Sequence, residues 1–395
     1  MSLKVLSLST VFPNPGEPGL GIFVKSRLDH VARCAKVTVI APVPLLDYGN
    51  PSGMRRAAVP RNRSENGIEI LHPRWFYPPF GTVFNALCLS VAVSATVFRL
   101  RRRFQFELID AHFGYPEGIA AALLASVFRS PFIVTLRGNE TMHARGRLHR
   151  WAIRWSLRRA ARVITVSESL RQFAIGLGVE ARATRTIPNG IDIGRFFPRD
   201  RIQAREKYGI GDVPMILSAG YLIERKGHHR IIDAMKKLRD QGIDAQLVIA
   251  GGPGREGRFE EVIRRRVAEH GLDRTVRFMG HVPPETLAEL MSAADIFCLA
   301  SSREGWPNVV HEAMACGAAI VTTDVGGTPD MVPSTDYGYV VPAGSQGALE
   351  ESLAHALGRQ WDRDAISAWA RSRSWTQVAS EVIEEMRQVI AEKRV

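Results

Sequence analysis

Cysteine is scarce in this chain, and acidic side chains are scarce in its first half. Only four cysteines occur in 395 residues: Cys34, Cys88, Cys298 and Cys316. They are too scattered for metal-ligand spacing, so no zinc site is legible. Cys298 and Cys316 sit inside apolar runs, which predicts buried free thiols in a reducing compartment. A secretory leader is also missing from the expectations. Met1 to Thr10 is too short, and too soon followed by prolines, to be a signal peptide. Without secretion, the sequons at Asn62 and Asn139 carry no meaning.

The shortage of acid is local. Residues 1–190 hold 26 Lys and Arg against 11 Asp and Glu, a net +15, whereas residues 191–395 hold 26 against 29, a net −3. Only the first half therefore asks for an anionic partner: nucleic acid, anionic lipid or an acidic substrate. A dinucleotide fingerprint is lacking too. Gly19 and Gly21 lie in a glycine-rich loop that opens a helix, where backbone N–H groups can approach a phosphate or a sugar. However, Gly19-x-Gly21-x-x-Val24 has no third small residue, and the second strand ends Ile40-Ala-Pro without an acid. That argues against a nicotinamide dehydrogenase.

What is present is alternation. Strand-like runs at 5–9, 37–41, 68–71, 108–111, 132–136 and 163–166 are separated by helical stretches, the pattern of a parallel α/β sheet. A turn-rich segment, Ile187-Pro-Asn-Gly-Ile-Asp, punctuates the chain, and a second series begins at Met215. Residues 81–98 carry no charge and just reach the length of a membrane span. Asn85, Ser90, Ser94 and Thr96 favour a buried helix instead, one that ends in the basic cluster Arg99-Leu-Arg-Arg-Arg. Residues 144–162 hold seven arginines and no acid. On a helical wheel Arg147, Arg150, Arg154 and Arg158 form a stripe beside Trp151 and Trp155, which suits an anionic membrane surface. Asp362-Arg-Asp364 lies in a polar helical region and reads as a helix start, with no metal role.

The chain is organised around residues 301–330. An apolar strand opening at Asp295 leads to Glu304-Gly305-Trp306-Pro307-Asn308, then Val309, Val310 and Glu312, and the helix stops at Gly317. Pro307 suits the first helical position, which would leave the N–H groups of Asn308, Val309 and Val310 for an anion. Glu312 interrupts an apolar row, where a solvated charge is out of place.

Strand, Glu-Gly, Pro, Asn, Glu and Cys-Gly together resemble the Glu-x7-Glu signature of the retaining, family 4 type glycosyltransferases of GT-B fold. The resemblance spans the chain through Gly19-Leu-Gly-Ile-Phe, Pro-Asn-Gly-Ile-Asp, Lys226-Gly227 and Trp375. It implies two Rossmann-like α/β/α domains facing each other across a cleft: a basic acceptor-side domain, 1–190, and a nucleotide-sugar domain, 191–374. A C-terminal helix, 375–395, crosses back to the first. It implies retention, no essential metal, and no cofactor beyond the nucleotide-diphosphate sugar that serves as co-substrate. Lys226 would hold the diphosphate; Tyr221 stands in the usual Arg slot, and Arg225 supplies the missing charge. Gly280 and Val282 would bracket the base, with Gly305, Pro307, Asn308 and Val309 on the donor. His112 would lie beside the transferred sugar, and the Gly19–Gly21 loop, Arg137 and Glu140 on the acceptor side. Chemically, Glu312 suits ribose hydroxyls, and Glu304 the sugar. A lipid-linked or envelope-glycan acceptor on the inner face of the membrane, met by a cytoplasmic peripheral protein, would account for the basic half. Two alternatives stand beside this reading. One is a nucleotide-sugar epimerase of the same fold; the other is a nucleic-acid or anionic-surface binder, which explains the charge but not the carboxylate pair.

Overall fold

The computed structural model describes residues 3–45, 59–77, 84–254 and 259–394. It divides into two compact units, Met1–Gly190 with Trp375–Val395, and Ile191–Ser374. Strands that are apolar on both faces need helices on both sides, and each unit meets that need with a mostly parallel sheet.

In the first unit the strands are β1 (Leu3–Leu8), β2 (Ala35–Ile40), β3 (Val43–Pro44), β4 (Asn62–Glu65), β5 (Ile68–Leu71), β6 (Arg74–Trp75), β7 (Leu108–His112), β8 (Phe132–Leu136), β9 (Arg162–Thr165) and β10 (Thr184–Thr186). The main sheet runs β10-β9-β8-β7-β1-β2-β5-β4, parallel except at the β4–β5 edge, and β3 pairs with β6 separately. Alternate side chains feed two cores. Leu6, Leu8 and Ile109 join one with the helices Phe84–Arg103, Glu117–Phe128 and Arg147–Leu157; Val5 and Leu108 join the other with Ile22–Val31. The last helix, Trp375–Arg394, returns the chain to this unit and packs on Ile22–Val31, burying Trp375, Val378, Val382 and Met386. Glu385 accepts from Arg185 (3.0 Å) and pairs with Arg162 (2.7 Å), which fixes that return.

In the second unit the strands are β11 (Met215–Ala219), β12 (Gln246–Ala250), β13 (Val276–Gly280), β14 (Ile296–Leu299), β15 (Ala319–Thr323) and β16 (Gly338–Val341). They run β13-β12-β11-β14-β15-β16, all parallel. Strand order reverses between β11 and β14 here, and between β7 and β1 in the first unit. The crevice outside the carboxyl ends of such strands is where doubly wound sheets take ligands.

Two expectations need adjustment. Phe84–Arg103 is the one described helix long and apolar enough to cross a membrane, and it buries only one face, through Ala86, Leu89, Val93, Val97 and Leu100. Phe84, Leu87, Val91 and Phe98 stand exposed, so the prediction of a buried helix holds for half of it. Strand β4, Asn62-Arg-Ser-Glu, has no apolar pattern; the ladder to β5 recruits it. Cys298 and Cys316 are buried free thiols, and Asp362 caps the helix Arg363–Arg371 by accepting from the Ala365 N–H.

Candidate functional site

Lys226 ends a short 3-10 turn after β11, and Glu304 lies in the loop after β14, so the reversal of strand order sets them side by side. Lys226 Nζ donates to Glu304 Oε1 at 2.6 Å, the Ser301 hydroxyl donates to the same oxygen at 2.8 Å, and Arg225 NH1 stands 3.6 Å away. Arg225 also donates to the Arg303 carbonyl, and the Ser302 N–H to the Arg225 carbonyl, so the two loops are stitched together. One of the three ammonium protons of Lys226 is engaged by the carboxylate. Backbone packing tightens the same place. A Cβ on Gly227 would meet the Ala300 carbonyl oxygen at 2.0 Å, and one on Gly326 the Glu304 carbonyl oxygen at 2.4 Å. Both glycines have positive φ, so glycine is required twice over. Gly327 N–H donates to the Gly305 carbonyl (2.8 Å), joining the loop after β15 to the group.

The helix of the signature runs Asn308–Ala315, with Gly317 at φ +83° just beyond it. Pro307 is its N-cap, not its first residue, and the Pro307 carbonyl accepts from the Val310 N–H at 2.9 Å. Of the three amides expected to face an anion, that of Val310 is therefore taken, a correction that follows from the extra residue in the cap. Glu312 is half-buried, and its carboxylate takes no hydrogen bond from the described residues. Burial pushes its carboxyl up to about 7, with Arg195 opposing the rise and Asp192 adding to it. A half-buried, unpaired carboxylate is a strong acceptor for a ligand's hydroxyls. Gly280, at positive φ, ends β13 with its carbonyl on the Gly251 N–H, and Val282 follows, half-buried. Tyr221 is exposed beyond the end of β11.

In the first unit the corresponding position is filled by a buried polar network. Arg27 donates to Thr135 Oγ1 (2.7 Å) and to both oxygens of Asp110 (3.2 and 3.3 Å). Asp110 Oδ2 is 3.3 Å from His112 Nε2, and Arg137 bridges His112 Nδ1 (3.1 Å) to Asn189 Oδ1 (2.9 Å). Burial alone would raise the Asp110 carboxyl, but Arg27 and His112 hold it down to about 2. Burial pushes the His112 ring down to about 4, so the ring is neutral at pH 7. His112 is 0 % exposed, and its ring positions Arg137 at the strand end. The Glu140 carboxylate is buried and accepts from the N–H groups of Gly114, Arg137 and Gly138, which holds the loop together. Arg137 is itself buried and engaged by His112 and Asn189. Gly21, at φ +68°, caps the helix Ile22–Val31 against the Val11 carbonyl, while Gly19 faces open space. A further buried acid, Glu117, accepts from Thr10 N (2.8 Å) and Oγ1 (2.5 Å), and burial raises its carboxyl to about 7.

Sequence reasoning missed Arg27, Asp110, Ser301 and Glu117. The signal for the first two was legible: an Asp inside Leu108-Ile-Asp-Ala-His, and an Arg on the Val24, Leu28, Val31 face of a helix, are charges at core positions. Among the described residues no group of three or more His, Cys, Asp or Glu is arranged to hold a metal ion.

Comparison with known proteins places these features in context. A glycosyl transferase 4-like domain matches residues 28–190, and the domain described as glycosyl transferases group 1 matches residues 200–373. The putative teichuronic acid biosynthesis glycosyltransferase TuaC of Bacillus subtilis is 26% identical over 366 residues, covering 89% of this chain and 88% of its own. A GDP-mannose-dependent alpha-(1-6)-phosphatidylinositol monomannoside mannosyltransferase of Mycolicibacterium smegmatis is 31% identical over 213 residues, 52% of this chain and 54% of its own. Sucrose-phosphate synthase of Thermosynechococcus elongatus superposes with a TM-score of 0.81 at 20% identity, over 99% of this chain and 100% of its own.

Proposed function

Since the chain belongs to the glycosyltransferases of GT-B fold, a 4-like domain followed by a group 1 domain, we propose that it moves a hexosyl unit from a nucleotide-diphosphate sugar to a lipid-linked or envelope-glycan acceptor, with retention and without a metal. The observation that carries the donor half of this reading is the meeting of Lys226, Glu304 and Ser301 at the β11/β14 reversal, beside the helix that bears the unpaired Glu312.

Each residue has a role that follows from its chemistry. Negative charge grows on the diphosphate as the glycosidic bond breaks, and Lys226, Arg225 and the amides at the start of Asn308–Ala315 stabilise it there. That cationic set is what makes a divalent ion dispensable. Glu312 accepts the two ribose hydroxyls, and the backbone at Gly280 and Val282 flanks the base. Glu304, held by Lys226 and Ser301, orients the sugar and stabilises positive charge developing at the reacting carbon. The acceptor half is supported by the net charge of the first 190 residues and by the envelope glycans and phosphatidylinositol mannoside in the relatives' names. An acceptor of that kind puts the protein at the cytoplasmic face of a membrane.

Thermal shift over a panel of nucleotide sugars tests the donor, because a ligand bound only to the folded state raises the melting temperature with its saturation. Glu312→Ala should abolish the response, and an unchanged response removes Glu312 from the donor site. Incubating the donor alone distinguishes transfer from epimerisation, since transfer needs an acceptor. The anomeric configuration of the product, read by NMR, tests retention.

A further inference from the structure

The long helix Phe84–Arg103 carries a feature that sugar transfer does not use. Phe84, Leu87, Val91, Ala95 and Phe98 fall at spacings of three and four, so they line one face of the helix, and all are exposed, Val91 to 76 %. The stripe ends at Arg99 and Arg102, both exposed. Glu117–Phe128 packs beside this helix and Arg147–Leu157 beside that one, so the three form one layer on the sheet. The third helix presents Leu148 (69 % exposed) and Trp151 (64 %) among exposed Arg147, Arg150, Arg154 and Arg158.

The charge on this layer has one sign. Residues 84–160 contain twelve arginines, no lysine and four acids. Asp110, Glu117 and Glu140 are buried, and Glu107 is tied to the Lys4 N–H. None of Arg99, Arg102, Arg147, Arg150, Arg154 and Arg158 forms an ion pair with a described residue. An apolar stripe rimmed by unpaired arginines and aromatic side chains is the pattern of an element lying in the headgroup layer of a bilayer. A nucleic acid would match the arginines but leave Leu87 and Val91 in water.

We propose that this three-helix face docks on an anionic lipid bilayer, the stripe from Phe84 to Phe98 entering the boundary between headgroups and acyl chains and the arginines meeting lipid phosphates. The proposal extends the lipid-linked acceptor reading, and it is read without any sugar donor, so the two fail separately.

The test is flotation of the full chain with vesicles of phosphatidylcholine alone, and of phosphatidylcholine with one part in three phosphatidylglycerol, at low and high salt. Binding is expected to the anionic vesicles only, and to weaken with salt. Arg150→Glu and Arg154→Glu should each lower the partition coefficient about five-fold or more. Leu87→Glu with Val91→Glu should lower it at least about ten-fold even at low salt. All four positions are exposed, so circular dichroism and the urea midpoint should match the parent, and thermal shift by a nucleoside diphosphate should be unchanged. Undiminished flotation of the Leu87→Glu/Val91→Glu variant overturns the proposal. So does loss of flotation on adding RNA, with RNA binding intact in that variant, which would identify a nucleic-acid surface.

Discussion

The bond between Lys226 and Glu304 makes a prediction in which two neighbouring substitutions move the same equilibrium in opposite directions. Glu304 occupies one ammonium proton of Lys226 at 2.6 Å and places a negative charge where a diphosphate would have to come. Replacing Lys226 with Met removes a charged hydrogen bond to phosphate. Such a bond is worth about 1.5–3 kcal/mol, so nucleoside-diphosphate affinity should fall roughly 10- to 150-fold. Replacing Glu304 with Gln keeps an oxygen for Lys226 and Ser301 but removes the competing charge. At an effective dielectric near 20, a unit charge about 8 Å away costs about 2 kcal/mol, so relief of that repulsion should tighten binding by up to roughly 30-fold. Turnover should drop in both variants, by ~10²–10³, because each loses a group aimed at charge that develops in the transition state. Calorimetric titration with nucleoside diphosphates reads the first quantity, and donor turnover the second. If Glu304→Gln weakens diphosphate binding as Lys226→Met does, the pair is a structural ion pair and the assignment of roles is wrong.

Four other outcomes follow from the geometry. In the proposed binding mode ribose hydroxyls donate to ionised Glu312, whose carboxyl burial lifts to about 7, so donor affinity should rise with pH between about 6 and 8 and flatten in Glu312→Gln; titration at several pH values checks it. Glu117 is raised to about 7 from an ordinary value of 4.5, so the folded state holds its proton more tightly than the unfolded chain. Stability should therefore fall as pH rises from 4.5 through 7, by up to about 3 kcal/mol, and Glu117→Gln should remove that slope in urea unfolding. Arg27→Met leaves Asp110 buried without its main counter-charge, which should cost about 3–5 kcal/mol by urea unfolding; a loss under about 1 kcal/mol would mean that His112 carries the load without it. Gly326→Ala puts a Cβ against the Glu304 and Gly305 carbonyls, so it should cut turnover at least ten-fold by displacing Glu304, read as kcat against the parent.

How far the sequence carried these conclusions depended on whether a feature was local. The strands were legible because apolar runs such as Phe132–Leu136 are buried on both faces, and the alternation with helices dictated a parallel sheet. The signature loop was legible because glycine, proline and carboxylates fall at fixed offsets. Sequence did not reveal that Lys226 donates to Glu304, 78 residues away, since that depends on strand order. Nor did it show that Pro307 is the cap itself, which moves the first helical hydrogen bond onto Val310. Strand β4 escaped because its pairing with β5 rests on backbone hydrogen bonds and not on any apolar period.

Charge shows the same limit, and its resolution bears on partner choice. The net +15 of the first 190 residues suggests an anionic partner but counts every cation alike. Burial separates them. Arg27 and Arg137 are spent inside the domain, on Asp110, Thr135, His112 and Asn189, and Arg162 is committed to Glu385 and Glu392. Arg99, Arg102, Arg147, Arg150, Arg154 and Arg158 are exposed and unpaired, and they lie in one helical layer. Long-range attraction to a negative surface comes from such unpaired, solvent-facing charges, because a buried pair presents little net field. The basic character of the first unit is therefore concentrated on the face that also exposes Leu87, Val91 and Trp151. The apolar stripe is what gives that field an address, because steering by charge alone would accept any polyanion, whereas exposed aliphatic side chains are satisfied only by a partner with an interior to enter.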